Sequence, residues 1–123
     1  MDERDVISKP LQEYGISTLM REDDQRQDYW KKQREERGFD ETETWSLDQA
    51  IAKFVVPRLK AFKEDHVCHP HGMTMEAWDE IIQKMIDGFE EVLRRDESPS
   101  KYNSEKVQEG LSLFAEWYHD LWW

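Results

Sequence analysis

The chain has 123 residues, a formal net charge of −11, and 37% hydrophobic and 37% charged residues. That length fits a single core rather than two, and the acidity, spread along both halves, excludes a general nucleic-acid binder, which needs basic surface to displace counterions. It equally disfavours attraction to anionic membranes, and no stretch approaches the roughly 20 apolar residues that span a bilayer.

Six Trp, five Phe and four Tyr compensate for the polar average, because each ring buries a large area. They predict a folded domain with a small, aromatic-rich core. The single cysteine, Cys68, excludes an intrachain disulfide. No N-terminal apolar run resembles a signal peptide, so the expected location is a cytoplasm.

Residues 1–20 carry scattered apolar side chains without a sustained period, and Pro10 and Gly15 interrupt any element. They read as a flexible terminus or, alternatively, as an arm whose Val6, Ile7, Leu11, Tyr14, Ile16 and Leu19 dock on the body or on a partner. Glu22 to Arg37 favours helix, with acids early, bases late and Gly38 at the C′ position. Only Tyr29 and Trp30 are large and apolar there, so this polar helix is expected on the surface, pinned by those two rings and laced by pairs such as Asp28 with Lys32. Phe39 to Thr44 reads as an acidic link. We therefore expect residues 1–38 to form an arm and polar helix, and residues 39–123 a helical bundle domain.

The organising stretch is Trp45 to Lys63, WSLDQAIAKFVVPRLKAFK. Ser46 and Gln49 have the spacing of a capping box, and Asp48 suits the positive end of a helix. Leu47, Ile51, Phe54, Val55, Leu59 and Phe62 recur at three- and four-residue steps, predicting one buried face. Pro57 removes a donor and crowds the Lys53 carbonyl, yet the apolar stripe continues in phase, so one kinked helix is expected rather than two. Lys53, Lys60 and Lys63 form the basic edge of this helix, able to take an anion or a partner or simply to face acids on a neighbouring helix.

A loop follows at Glu64–Gly72, marked by Pro70 and Gly72. Thr74 is placed as the N-cap of a helix reaching about Arg95, with Met75, Trp78, Ile81, Ile82, Met85, Ile86, Phe89, Val92 and Leu93 inward. Glu76, Glu80, Asp87 and Glu91 are expected to form an acidic stripe outside. After a turn at Ser98-Pro99-Ser100, a last helix begins near Asn103, with Val107, Leu111, Phe114, Tyr118 and Leu121 inward and Gly110 allowing close helix contact. The expected fold is all-α: a three-helix bundle core with an additional polar N-terminal helix and a flexible N-terminal arm.

The chemistry-bearing patterns are thin. His66, Cys68, His69 and His71 are all zinc-ligand types, but structural sites join two separated pairs, and four ligands within six residues make a poor tetrahedral cage. Glu116 and His119 have the Glu-x-x-His spacing of di-iron bundles in a single copy, where two are required. The acids of the Thr74 helix lie opposite its apolar face. No glycine-rich phosphate loop or nucleophile elbow occurs. No catalytic residue, cofactor or metal site is assigned. Tyr29, Trp30, Trp122 and Trp123 are the candidate interface aromatics.

Taken together, Trp45-Ser-Leu-Asp48, Ile51-Ala-Lys53-Phe54, Pro57-Arg58-Leu59-Lys60, Glu76-Ala-Trp78-Asp79-Glu80-Ile81, Lys84-Met85-Ile86 with Phe89-Glu90, and Val107-Gln-Glu109-Gly110-Leu111 with Phe114 resemble a family of small uncharacterised proteins encoded by bacteriophages. The resemblance runs from about residue 38 to the end and implies expression in a bacterial host cytoplasm. It carries no catalytic residue over. The expected function is a non-enzymatic accessory protein that binds a host or phage protein and makes no direct contact with nucleic acid. The alternatives are an acidic nucleic-acid mimic that inhibits a host DNA-handling enzyme, and a magnesium-dependent nucleotide-binding bundle.

Overall fold

The structure, a computed structural model, describes Ile16, residues 23–95 and residues 97–122. The expected arm of residues 1–20 and the terminal Trp123 lie outside these, Ile16 excepted. The described residues form helices and turns, with no strand among them: the protein is all-α. The chain divides into two compact units, residues 1–51 and residues 52–123, with the boundary inside one helix.

In the first unit, α1 spans Gln27–Arg37 and ends on Gly38, whose φ of 86° is the left-handed conformation that glycine adopts without steric cost; its N–H donates to the Arg34 carbonyl. The helix starts at Gln27 rather than Glu22 because residues 23–26 form a turn, in which the Asp24 carboxylate takes the backbone N–H of Arg26 at 2.9 Å. Of the two rings expected to pin α1, only Trp30 does so, at 2% exposure; Tyr29, one step round the helix, faces solvent. Lys32 reaches Glu36 one turn on, at 3.8 Å.

The stretch expected as an acidic link is instead a folded polar knot around α2, Thr42–Trp45. Asp40, Thr42 and Glu43 are buried, as is Arg34 from α1. Arg34 donates to Asp40 Oδ2 at 2.5 Å, while Asp40 Oδ1 takes the backbone N–H of Thr42 at 2.9 Å and also its hydroxyl. The Asp40 N–H donates to Glu43 Oε2 at 2.7 Å, the return bond of a capping box. Trp30 closes the knot: its Nε1 donates to Glu41, its ring meets Trp45 edge-on at 5.8 Å, and the Arg26 guanidinium lies 4.7 Å above it.

α3 spans Leu47–Asp65 and runs through Pro57 as one helix. The Ser46 carbonyl accepts from Ala50, so Ser46 occupies the N-cap position, and the N–H of Gln49 donates to Asp48 Oδ1 at 2.9 Å. Packing on both sides of the proline offsets its intrinsic cost of about 3 kcal/mol.

In the second unit, Ala52, Val56 and Leu59 of α3 share one core with Trp78, Ile82, Met85, Ile86, Phe89 and Val92 of α4, Met75–Arg94, and with Val107 of α5, Ser104–Trp117. This is the three-helix bundle. Thr74 caps α4 by accepting from the Ala77 N–H at 3.1 Å, and Asn103 caps α5 by accepting from Lys106 at 3.1 Å. α4 and α5 meet backbone to backbone: a Cβ on Gly88 would lie 2.8 Å from the Gly110 Cα, and one on Gly110 would lie 2.9 Å from the Lys84 carbonyl oxygen.

The buried phase of α3 differs from the one its spacing predicts. Leu47 is 56% exposed and Phe54 46%, Ile51 is exposed as well, and Val55 and Phe62 are half-buried. The buried line in the bundle is Ala52–Val56–Leu59: Leu59 is buried as expected, whereas Ala52 and Val56 replace their neighbours Ile51 and Val55. Small residues at Ala52 and Val56 permit close approach to the Trp78 helix, and bulkier Ile51 and Phe54 are left on the flank. Leu111 on α5 and Tyr118 just after it face outward, while Val107, Gly110 and half-buried Phe114 turn in. Glu91, expected in the outer acidic stripe, is buried: it accepts from the Asn103 N–H at 3.1 Å and from Arg94 at 3.0 Å, which ties the end of α4 to the start of α5.

Candidate functional site

Apolar side chains of α3, of α5 and of the segment after it meet at a groove in the bundle, Phe54 exposed and the others half-buried or buried. Phe54, Val55, Arg58, Leu59 and Phe62 line one side, and Phe114 and Leu121 line the other, around a cavity of about 260 Å³. Helical spacing places Phe54, Arg58 and Phe62 on successive turns of one α3 face. Phe114 is held by edge-on contacts to Phe89 at 5.2 Å and to Tyr118 at 5.6 Å, and Tyr118 is 58% exposed beside it. Arg58 is the sole charged residue in the lining among the described residues. Its guanidinium lies 3.8 Å above the Phe54 ring and donates to the Phe54 carbonyl at 2.9 Å, so it is oriented with hydrogen-bonding capacity to spare.

The residues singled out in the sequence are dispersed. Trp30 is buried in the polar knot and offers no surface, and Tyr29 is exposed on α1. Trp122, 73% exposed, borders a separate cavity of about 220 Å³ with Cys68, His69, Pro70, His71 and Asp120. His66 is turned away from its neighbours in the loop. It is buried against Phe62, with Nε2 2.7 Å from Asp79 Oδ1 and Nδ1 3.0 Å from the Cys68 carbonyl oxygen. Those bonds make His66 the anchor that fastens the loop to Asp79, in the second turn of α4. Among the described residues no three His, Cys, Asp or Glu side chains gather where they would hold a metal ion.

Of the basic edge, Lys60 pairs with Glu90 of α4 at 2.6 Å and Lys63 donates to Gln83 at 2.9 Å, while Lys53 is exposed. Both bonds cross from α3 to α4. Cations also stand among the acids elsewhere on the bundle, Lys84 with Glu109 at 3.3 Å and Arg94 with Glu91 at 3.0 Å. Cations and acids are thus interspersed at these positions of the bundle.

Sequence spacing missed the groove because it assigned Phe54 to the core; Phe114 and Leu121, also expected inward, do pack against the core and line the groove with the surface that remains. The available signal was Arg58, a guanidinium inside the apolar run FVVPRL. It missed the polar knot too, although Asp40-x-x-Glu43 has capping-box spacing.

Among the described residues no helix is long and apolar enough to cross a membrane. No family model, curated protein or solved structure matches the chain.

Proposed function

We propose that this protein is a non-enzymatic, bacteriophage-encoded accessory protein that acts in the host cytoplasm by binding a protein partner in the groove between α3 and α5. The phage setting rests on the resemblance of the sequence alone. The binding role rests on one observation: Phe54, Phe62, Phe114 and Leu121 line an open apolar groove, with exposed Tyr118 beside it, on a chain of net charge −11. Exposed rings grouped beside a guanidinium have the composition of an interface centre.

At about 260 Å³ the groove is smaller than the roughly 300–1,000 Å³ of ligand pockets and open along its length, which suits side chains of a peptide segment better than an enclosed small molecule. Arg58 defines the partner's chemistry. An amphipathic segment that fills the groove with apolar side chains and brings one carboxylate to Arg58 satisfies both the burial and the charge. A second copy of the chain is disfavoured by repulsion between two bodies of net charge −11.

Photo-crosslinking in infected cells tests this. A benzophenone side chain placed at Phe54 or at Tyr118 is expected to trap the same protein, and Arg58→Glu is expected to abolish both crosslinks. Crosslinking from exposed Glu80 on α4 with the same yield and the same products would overturn the proposal.

A further inference from the structure

A second cavity in the bundle has the opposite character. It is a partly open depression of about 330 Å³ at the turn joining α4 to α5, lined among the described residues by Glu91, Arg94, Ser98, Lys101, Asn103 and Lys106. Every lining side chain is polar, and three are cationic. The one carboxylate is already engaged, since Glu91 accepts from the Asn103 backbone and from Arg94. The end of α5 is likewise closed by protein groups, because Asn103 Oδ1 takes the Lys106 N–H. What remains directed to the cavity is the charge of the side chains.

The pairing of the bundle's cations sharpens the point. Lys60, Lys84 and Arg94 each reach a carboxylate, whereas Lys101 and Lys106 make no ion pair among the described residues. In a chain of net charge −11, two unpaired lysines and an arginine border one cavity. Among the described lining residues three cations stand against one buried carboxylate, a local excess of positive charge. A guanidinium fork, two ammonium groups and the Ser98 hydroxyl supply donors to several oxygens at once, as a tetrahedral oxyanion requires and a single carboxylate does not.

We propose that this cavity binds the phosphoryl group of a small phosphomonoester. Nucleic acid is a poor occupant, because the surrounding negative field repels a polyanion while a single dianion needs only the local cations. The site is separate from the groove between α3 and α5, shares no residue with it, and stands or falls independently of partner binding.

Amide chemical shifts followed during titration, at fixed ionic strength and a pH of about 7.5, provide the test, since the second ionisation of a phosphomonoester lies near pH 6. Phenyl phosphate, inorganic phosphate and acetate are the probes. Phenyl phosphate is expected to shift the amides of Ser98, Lys101 and Ser104–Lys106 saturably, and Lys101→Gln with Lys106→Gln to weaken it about tenfold or more, with the remaining spectrum unchanged. Saturation by inorganic phosphate but not by phenyl phosphate would refute the ester. Equal binding of acetate, non-saturating shifts, or an unchanged affinity in the double variant would refute the site.

Discussion

Trp30 and Trp78 are both buried indoles, and their surroundings are opposite in kind. Trp30 is bonded to Glu41, covered by Arg26 and adjoins a knot in which Arg34, Asp40, Thr42 and Glu43 are joined by hydrogen bonds, Arg34 Nε being left without a partner among the described residues. Trp78 sits among Ile82, Met85 and other apolar side chains, with Trp117 edge-on at 5.9 Å. The first unit is thus held by directional bonds, each needing its partner, and the second by area removed from water. Burial of charge without a partner is costly, so the polar unit should fail abruptly when one member is lost, whereas the bundle should lose stability in proportion to volume.

Trp78→Ala should show the largest effect, destabilising the bundle by about 3–5 kcal/mol in chemical denaturation, as expected for an aromatic deleted from a core. Gly88→Ala should cost about 3 kcal/mol although it adds only a methyl group, because that methyl meets the Gly110 backbone rather than a movable side chain. A loss below about 0.5 kcal/mol would show that α4 and α5 can separate slightly without penalty.

In the polar unit, Arg34→Met leaves Asp40 buried without its cation and should cost about 3 kcal/mol, read locally as lost hydrogen-exchange protection of α1. Adding Asp40→Asn should restore most of that protection, because the amide oxygen still accepts from Thr42 and no charge is stranded. If the double variant is no better than the single one, the knot depends on the ion pair itself and the contrast with the bundle is deeper than argued.

Glu43 gives the contrast a pH dependence. Burial, foremost, lifts its carboxyl above the usual 4.5; the hydrogen bond from the Asp40 backbone opposes that rise and the neighbouring Asp40 charge adds to it. With the folded value above the unfolded one, its contribution is fully present below about pH 4.5 and is lost as pH rises through the raised folded value. Hydrogen exchange of the first unit should therefore become less protected as pH rises through that window, after correction for intrinsic rates, and Glu43→Gln should flatten the trend. The smallest effect is expected for Lys60→Met. Its pair with Glu90 is largely exposed, so the change in stability should stay below about 1 kcal/mol despite the 2.6 Å separation.

Much of the local structure is legible in the residues. Gly38 ends α1, Thr74 starts α4, Asn103 starts α5, and Gly110 admits a close neighbour, each for a reason contained within a few positions of sequence. These features depend on backbone geometry and on the orphan N–H and C=O groups of helix ends, which do not need the rest of the molecule. The existence of the long helix through Pro57 is of the same kind, because the apolar stripe keeps its phase across the proline.

Which face of that helix is buried was decided elsewhere. Its apolar residues span more of the circumference than one interface covers, so periodicity alone leaves the phase open by about one residue. Contact with Trp78 and Ile82 selected Ala52, Val56 and Leu59, and in doing so left Phe54 on the groove. The buried polar groups depended on tertiary structure for the same reason. Arg34 and Glu91 read as surface charges until Asp40 and the Asn103 backbone arrive from other parts of the chain to bond them. Composition and local pattern fixed the helices and their ends; complementary groups brought together by folding fixed which charges are inside and which aromatics are left out.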